Sequence, residues 1–279
     1  MIGSIAAELL LVRKRASTWI LLGVWVVMAA FFAYILPYVT YRNDTGTPER
    51  FRDPLTDLLP RSLVVTALGG FPFFGGVIVL ILGVLTLGSE YGWGTLKTVF
   101  TQRPGRLQVF AAKLVAVGVA LVVFVLAVFA VGALASVVIA LLEDAAIAWP
   151  GTWLTVRAVG AAWLILAVWT AFGVLLAVLS RGTSLAIGIG ILYGLAIEGL
   201  ISAFLDQVSL LRPLIEGLLR ANAYSLVAPL GAAEDAAGNG PGAFSGPYVG
   251  GGQALLVLVA YLGGFLALAA IVLRRRDVA

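Results

Sequence analysis

The sequence predicts an all-α integral membrane protein with six transmembrane helices. Of its 279 residues, 61% are hydrophobic and only 11% are charged, whereas soluble domains carry about 25% charged residues. A hydrocarbon core of about 30 Å needs roughly 20 apolar residues in a helix, and six segments meet that length. Their apolar runs are continuous rather than alternating, which excludes the strands of a transmembrane barrel.

The predicted spans cover residues 18–39, 62–87, 114–142, 158–179, 185–205 and 254–273. The first apolar core is longer than that of a cleavable signal peptide, and no small-residue cleavage site follows it. In the second span, Pro72 within GGFPFFGG predicts a kink near the outer end.

Residues 1–17, MIGSIAAELLLVRKRAS, precede the first span. Ile2, Ile5 and Leu9 lie at helical spacing, and a cluster of three basic residues follows them. This pattern indicates a short helix that lies along the inner membrane interface. A frayed terminus that ends in a stop-transfer charge cluster is the alternative interpretation.

The distribution of charge predicts that both termini are cytoplasmic. With the termini inside, the inner segments carry 11 of the 18 Lys and Arg residues and three acidic residues. The outer segments then carry seven basic and ten acidic residues. Because cytoplasmic loops are enriched in Lys and Arg, we expect a multi-pass protein of the cytoplasmic membrane in this orientation.

Composition excludes several functions. The chain has no Cys and no His, which removes thiolate chemistry, the commonest metal ligands and the usual general base. We therefore expect no catalytic site, no metal and no cofactor in this chain. The basic residues lie in short clusters beside apolar runs, unlike the patches that bind nucleic acid. No G-x-x-x-x-G-K-[ST] motif occurs, so any ATP would be bound by another chain.

Residues 206–252 form a long predicted extracellular segment with two parts. In the first part, Pro213 stands at a plausible helix start, and Glu216 and Arg220 lie one turn apart. This part is either an amphipathic helix on the outer surface or a re-entrant element. The second part is rich in glycine and is typical of a flexible linker.

Residues 89–106, SEYGWGTLKTVFTQRPGR, form the main inner segment. Gly94 loosens the chain after the second span, and Pro104 ends any helix that follows. Between them, three apolar residues share one helical face: Leu96, Val99 and Phe100. A two-turn helix is not stable alone in water, so this face needs a covering surface. Either the inner surface of the membrane or another protein can supply it.

This segment resembles the signature of permease subunits of ATP-binding-cassette (ABC) exporters of the type-2 class. That signature reads G/S-E-x-x-x-G-T-L-K/R, followed by P-x-x-R and a lysine that opens the third span. The matching positions are Ser89, Glu90, Gly94, Thr95, Leu96, Lys97, Pro104, Arg106 and Lys113. Arg106 follows Pro104 by two positions instead of three. The segments ELLLVRKRASTWILL and LSRGTSLAIGIGILYGLAIEGL are also similar to the family, so the resemblance covers essentially the whole chain.

The resemblance implies a half-transporter that moves a hydrophobic or amphipathic substrate out of the cell. A second copy or a related permease would complete the membrane pathway, and separate ATPase subunits would bind ATP and Mg²⁺. Residues 89–106 would form the coupling loop to the ATPase. The residues implied in this coupling are Glu90, Gly94, Thr95, Leu96, Lys97, Val99, Phe100, Pro104 and Arg106.

Glu198 is an ionisable residue within the fifth span. Such residues are costly in the membrane and mark functional sites by default. The residues Gly190, Gly194, Glu198 and Ser202 follow each other at i+4 spacing, so one helical face is small or polar. This face suits close packing, a dimer seam or a pathway lining. A hydrogen-bonded Glu198 that only fixes helix packing remains open, as does an ion-coupled carrier or channel with Glu198 as its site.

The predicted orientation can be tested with single cysteines, because the chain has none of its own. Cysteines introduced at Thr47 and Asn239 should react with a membrane-impermeant thiol reagent added outside cells. A cysteine at Gln102 should react only after the membrane is opened. External labelling at Gln102 would reverse the assigned orientation.

Overall fold

The structure is a computed structural model that describes residues 2–43, 54–92, 105–201, 212–231 and 249–275. Within these ranges every regular element is helical, so the predicted all-α class is confirmed. Among the described residues, five helices are long and apolar enough to cross a membrane. The second predicted span, 62–87, is present as two shorter helices in series, and the six-span topology stays a prediction.

The helices are α1 (Ile2–Lys14), α2 (Ala16–Asn43), α3 (Pro54–Leu58), α4 (Leu63–Gly69), α5 (Gly76–Gly92), α6 (Arg106–Leu142), α7 (Thr152–Ser180), α8 (Ser184–Ile201), α9 (Arg212–Ile215), α10 (Leu219–Val227) and α11 (Gly251–Arg275). Two of them contain a π-helical stretch, at Phe31–Ile35 in α2 and at Tyr193–Ile197 in α8. A third π-helical stretch, Phe71–Gly75, joins α4 to α5. The five long apolar helices are α2, α6, α7, α8 and α11.

The predicted second span is interrupted at the position of Pro72. Helix α4 ends at Gly69, and the π-helical stretch closes with a hydrogen bond from the Gly75 N–H to the Gly70 carbonyl, 3.1 Å long. Proline cannot donate a backbone hydrogen bond, and its ring clashes with the preceding turn. A widened π-helical turn therefore lies where Pro72 predicts a kink, and the kink itself stays a prediction.

Helix α7 occupies the centre of the bundle. In its most apolar stretch 78% of the residues are buried, against 11% in α2 and in α11. Helices α5 and α11 pack most extensively against α7, which explains why α7 is apolar around its whole circumference. The peripheral helices α2, α8 and α11 leave many large apolar side chains exposed. These exposed faces are available to lipid or to another subunit.

Helices α5 and α7 cross with their backbones in contact. A Cβ atom at Gly83 would overlap the Thr170 carbonyl oxygen, and a Cβ atom at Gly173 would overlap the Leu80 carbonyl oxygen. At the same crossing, the Thr170 hydroxyl donates to the Val79 carbonyl at 3.3 Å. Small residues allow such close approach between membrane helices. Glycine is therefore required on both sides of this crossing.

The two ends of the bundle are marked by tryptophan and by ion pairs. Trp19 is exposed near the start of α2, and its indole N–H donates to the Arg13 carbonyl at 2.7 Å. At the opposite end, the Tyr38 hydroxyl donates to Glu143 at 2.7 Å, and Arg42 lies 3.5 Å from the same carboxylate. These contacts join the ends of α2 and α6. Exposed Trp149 and Trp153 lie beside them along the chain, as expected for residues at a membrane–water interface.

The N-terminal segment is a regular helix that packs against α6. The alternative of a frayed terminus is therefore wrong for Ile2–Lys14. None of the residues of α1 is fully buried, and its place on the inner membrane surface stays a prediction.

The predicted extracellular segment 206–252 contains a helix that lies inside the bundle. Eight of the nine residues of α10 are buried, including Arg220, Asn222 and Ser225. A helix on the outer surface would expose one face to water. This part of the segment is therefore packed within the bundle, and its re-entry into the membrane stays a prediction. The glycine-rich part lies mostly outside the described residues.

The close contact between α5 and α7 can be tested by a substitution in α7, with a control substitution on the same helix. Gly173→Ala places a methyl group against the Leu80 carbonyl, so the two helices must separate, and we expect a loss of about 1–3 kcal/mol of stability. Gly160→Ala should have no such effect, because a Cβ atom there meets nothing within 4 Å. The midpoint of thermal unfolding in detergent measures both. Equal midpoints for the two variants would contradict this account of the crossing.

Candidate functional site

Four charged side chains from four different segments meet at the end of the bundle where α2 begins and α5 ends. The Lys113 ammonium donates to one oxygen of Glu90, and it also donates to Glu8 at 2.8 Å. Arg15, which directly precedes α2, lies 3.6 Å from Glu90. We call these four residues, Glu8, Arg15, Glu90 and Lys113, the inner charge cluster.

The inner charge cluster is largely withdrawn from solvent. The Lys113 side chain is 3% exposed, that of Glu90 is 8% exposed and that of Glu8 is 13% exposed. Buried charges are tolerated only when they are paired and hydrogen-bonded. The cluster meets this condition with two acidic and two basic groups, and Arg15 also donates to the Leu85 carbonyl at 3.1 Å. Each member therefore depends on the others, and together they join α1, α2, α5 and α6.

The inner charge cluster lies at the base of the segment 93–104. Glu90 is two residues from the last residue of α5, and Lys113 lies two turns after Arg106, the first residue of α6. At the other end of the segment, Gly105 has an extended conformation and its carbonyl accepts the Gln108 N–H at 2.9 Å. The described residues thus fix both points at which the segment leaves the bundle.

Most of the predicted coupling residues lie outside the described residues. These are Gly94, Thr95, Leu96, Lys97, Val99, Phe100 and Pro104. Glu90 and Arg106 are described. Arg106 is half-buried at the start of α6, whereas Glu90 is buried in the inner charge cluster, in contact with side chains of its own chain. The role of all nine residues in coupling stays a prediction.

Sequence reasoning found Glu90 and Lys113 only as separate motif positions and treated Glu8 as one acid in a basic segment. It did not find their mutual contact. The available signal was that Glu8 and Lys113 each interrupt an apolar run, in AAELLL and FAAKLV. An ionisable residue in such a run needs a partner. Which partner it takes depends on the tertiary structure.

A second buried polar contact involves Glu198 and Arg220, both completely buried. One carboxylate oxygen of Glu198 accepts the backbone N–H of Arg220. The guanidinium of Arg220 donates to the Gly194 carbonyl at 3.2 Å. Glu198 is thus a hydrogen-bonded residue within the bundle, which agrees with the packing interpretation of its position.

The small-residue face of α8 packs inside the chain. Ala186, Gly190, Gly194 and Glu198 are all buried, whereas their neighbours around the helix are largely exposed. A Cβ atom at Gly190 would lie 2.5 Å from the side chain of Leu80, and one at Gly194 would lie 3.2 Å from Trp169. The face therefore contacts α5 and α7. Ser202 lies outside the described residues, and a dimer seam along this face stays a prediction.

The comparison with known families identifies the class of protein. A family model described as ABC-2 family transporter protein matches residues 4–197. This match covers more than half of the chain, so the chain belongs to the ABC-2 family of transporter proteins. It is a multi-pass membrane permease of an ABC transporter, and the resemblance noted in the sequence is confirmed. No curated protein matches the chain.

The matched region contains the whole inner charge cluster and stops one residue before Glu198. Helices α10 and α11 lie beyond it. Among the described residues, no group of three or more acidic, Cys or His side chains could hold a metal ion.

The inner charge cluster can be tested by a double-mutant cycle. Lys113→Met removes the cation that Glu8 and Glu90 share and leaves Arg15 beside Glu90, and breaking a buried ion pair in this way costs up to about 3–5 kcal/mol. Combining it with Glu90→Gln removes one of the two carboxylate charges, so the double variant should be more stable than Lys113→Met alone. Thermal unfolding in detergent measures the cycle.

Lys14→Met is the matched control, because Lys14 is exposed on α1 and should be nearly neutral. Additive effects of the Lys113 and Glu90 substitutions would show that the two side chains do not interact.

Proposed function

We propose that this permease is the membrane subunit of an ATP-driven exporter and that the segment 93–104 contacts a separate ATPase subunit. ATP and Mg²⁺ are bound by that partner and not by this chain. The observation that supports the proposal best is the inner charge cluster, which joins four helices at the base of this segment.

The inner charge cluster gives the segment a mechanical connection to the bundle. A displacement of the segment acts first on the end of α5 and the start of α6. Glu90 and Lys113 link these two ends to each other, and Glu8 and Arg15 link them to α1 and α2. Helix α5 is in backbone contact with the central helix α7. Packed interiors transmit strain because they have few voids, so the displacement reaches the centre of the bundle.

The contact with the ATPase is assigned to the apolar face formed by Leu96, Val99 and Phe100. Burial of each side chain in a groove of the partner contributes about 1.5–3 kcal/mol at the upper limit. In this proposal Glu90 does not touch the ATPase. It holds the segment in place through Lys113.

The remaining parts of the proposal concern the assembly and its cargo. A second copy or a related permease covers part of the exposed apolar surface of the peripheral helices, and lipid covers the rest. The assembly lies in the cytoplasmic membrane with both termini inside, and it exports a hydrophobic or amphipathic substrate. The excess of Lys and Arg in the inner segments supports this orientation.

An ion-coupled carrier that uses Glu198 is the alternative function. The structure offers it no support, because the Glu198 carboxylate is bound to the backbone of α10 and is closed off from solvent.

The proposed ATPase contact is tested with Phe100→Asp. The substitution places a carboxylate in an apolar groove, so the ATPase should no longer co-purify and transport-stimulated ATP hydrolysis should be lost. The permease itself should still insert into the membrane and purify as a monodisperse species. Lys97→Ala, which does not belong to the apolar face, is the control and should change these measurements little.

Two results would count against the contact. If Phe100→Asp made the isolated permease aggregate, Phe100 would belong to the membrane bundle. If co-purification, hydrolysis and yield all stayed at the parent level, the ATPase would bind elsewhere.

A further inference from the structure

Helix α10 enters the bundle with its N-terminus foremost. Near that end, the Gly217 carbonyl accepts a hydrogen bond from the Tyr261 hydroxyl at 2.6 Å. Tyr261 is ten positions after Gly251, the first residue of α11, which corresponds to a depth of about 15 Å. Near the other end of α10, the Val249 N–H donates to the Ser225 hydroxyl at 3.4 Å, beside the start of α11. The N-terminus of α10 is therefore buried at the level of the middle of α11.

The position of Glu198 agrees with this depth. Glu198 is fourteen positions after Ser184, the first residue of α8, and therefore about 21 Å along that helix. Helix α8 begins at the end of the bundle opposite to the start of α11, if both cross the membrane as predicted. The carboxylate and the N-terminus of α10 meet within the apolar layer, where water cannot satisfy backbone groups.

Helix α10 has no capping residue in its own sequence. The first N–H groups of a helix lack intrahelical acceptors, and the N-cap position is occupied by Leu218, which makes no side-chain cap. Glu198 supplies the missing acceptor from α8, because it binds the N–H of Arg220, the second residue of α10. A carboxylate is also the group that the positive end of a helix dipole favours. Glu198 thus takes the place of an N-cap, from a different helix.

Arg220 makes the reciprocal contact. Its guanidinium donates to the Gly194 carbonyl, which lies in the π-helical stretch of α8. A side chain of α8 therefore binds the backbone of α10, and a side chain of α10 binds the backbone of α8. Both side chains are completely buried, so these hydrogen bonds are stronger than they would be in water.

The remaining contacts of α10 are mostly apolar. It packs against α11, α7 and the Phe71–Gly75 stretch, and Leu219, Ala223 and Val227 belong to the main hydrophobic core. A nine-residue helix is not stable by itself. The polar contacts to α8 therefore fix where α10 begins and how deeply it enters.

We propose that Glu198 and Arg220 form a latch that holds α10 inside the bundle. Both are positioning residues, and the latch can be tested independently of ATP coupling. Only one consequence rests on the proposed function: in an exporter, release of α10 would change the outer half of the transport route.

If the latch holds α10 in place, α10 should become more accessible to a water-soluble reagent when its contacts are removed. A single cysteine at Ala223, which is completely buried, is introduced into the cysteine-free chain. The permease is reconstituted in nanodiscs, where both faces are open to solvent, and reaction with a water-soluble maleimide is followed over time. Glu198→Leu and Arg220→Met should each raise the labelling rate by about tenfold or more, because each removes one of the two side-chain contacts between α8 and α10.

The conservative variants separate a specific latch from a general loss of packing. Glu198→Gln combined with Arg220→Met keeps an oxygen for the Arg220 N–H and leaves no buried charge. This pair should label more slowly than Arg220→Met alone. Glu143→Gln, which alters the ion pair at the ends of α2 and α6, is the matched control and should label at the parent rate. Size-exclusion chromatography confirms that each variant is monodisperse.

The possible outcomes are distinct. Parent-level labelling in Glu198→Leu and Arg220→Met, or additive effects in the combined variant, would overturn the latch. If Glu198→Leu does not purify, Arg220→Met decides alone, and a parent-level labelling rate there would overturn the proposal. Co-purification of the ATPase is measured in parallel. Its absence from the parent and from all variants would contradict the proposed function while the labelling rates still decide on the latch.

Discussion

The buried contact of Lys113 with Glu90 and Glu8 is the interaction on which the end of the bundle where α2 begins and α5 ends depends. One ammonium group connects helices that are separated by 23 and 105 positions in sequence. In an apolar bundle there is no hydrophobic driving force between helices, since lipid and side chains are equally apolar, so packing and polar contacts together set their positions. A buried ion pair is directional and expensive to break, so it fixes the level of α1, α5 and α6 relative to each other. The segment 93–104 departs from this fixed point.

Polar contacts also define the rest of the bundle. Tyr38, Arg42 and Glu143 join α2 to α6 at the opposite end, and Glu198 with Arg220 joins α8 to α10. Between these sites the helices are held by close packing, most tightly where α5 meets α7. Close packing therefore holds the helices together, and the few buried charges add directional contacts that help to select one register.

The apolar runs predicted the helices well, because burial in lipid imposes a length and a composition on each span. Agreement is close for α8, which was expected at 185–205 and is described at Ser184–Ile201. Helix α6 begins eight residues before its predicted start at 114, since its first two turns contact α1 and the inner charge cluster instead of lipid. The partners of Glu198 and Lys113 could not be read from the sequence. Local spacing pairs Arg220 with Glu216, whereas the position of α10 inside the bundle brings Arg220 to α8.

The three π-helical stretches have a consequence for the evolution of chain length. Each holds one more residue than an α-helical turn would, with i→i+5 bonding, and the flanking helical segments keep their orientation around it. Removal of one residue from Tyr193–Ile197 would restore a regular helix without rotating the segment that carries Glu198 relative to the segment that carries Gly190. Single-residue insertions and deletions among relatives should therefore concentrate at these three stretches. The helix faces on either side of such a stretch keep their relative orientation when one residue is added or removed there.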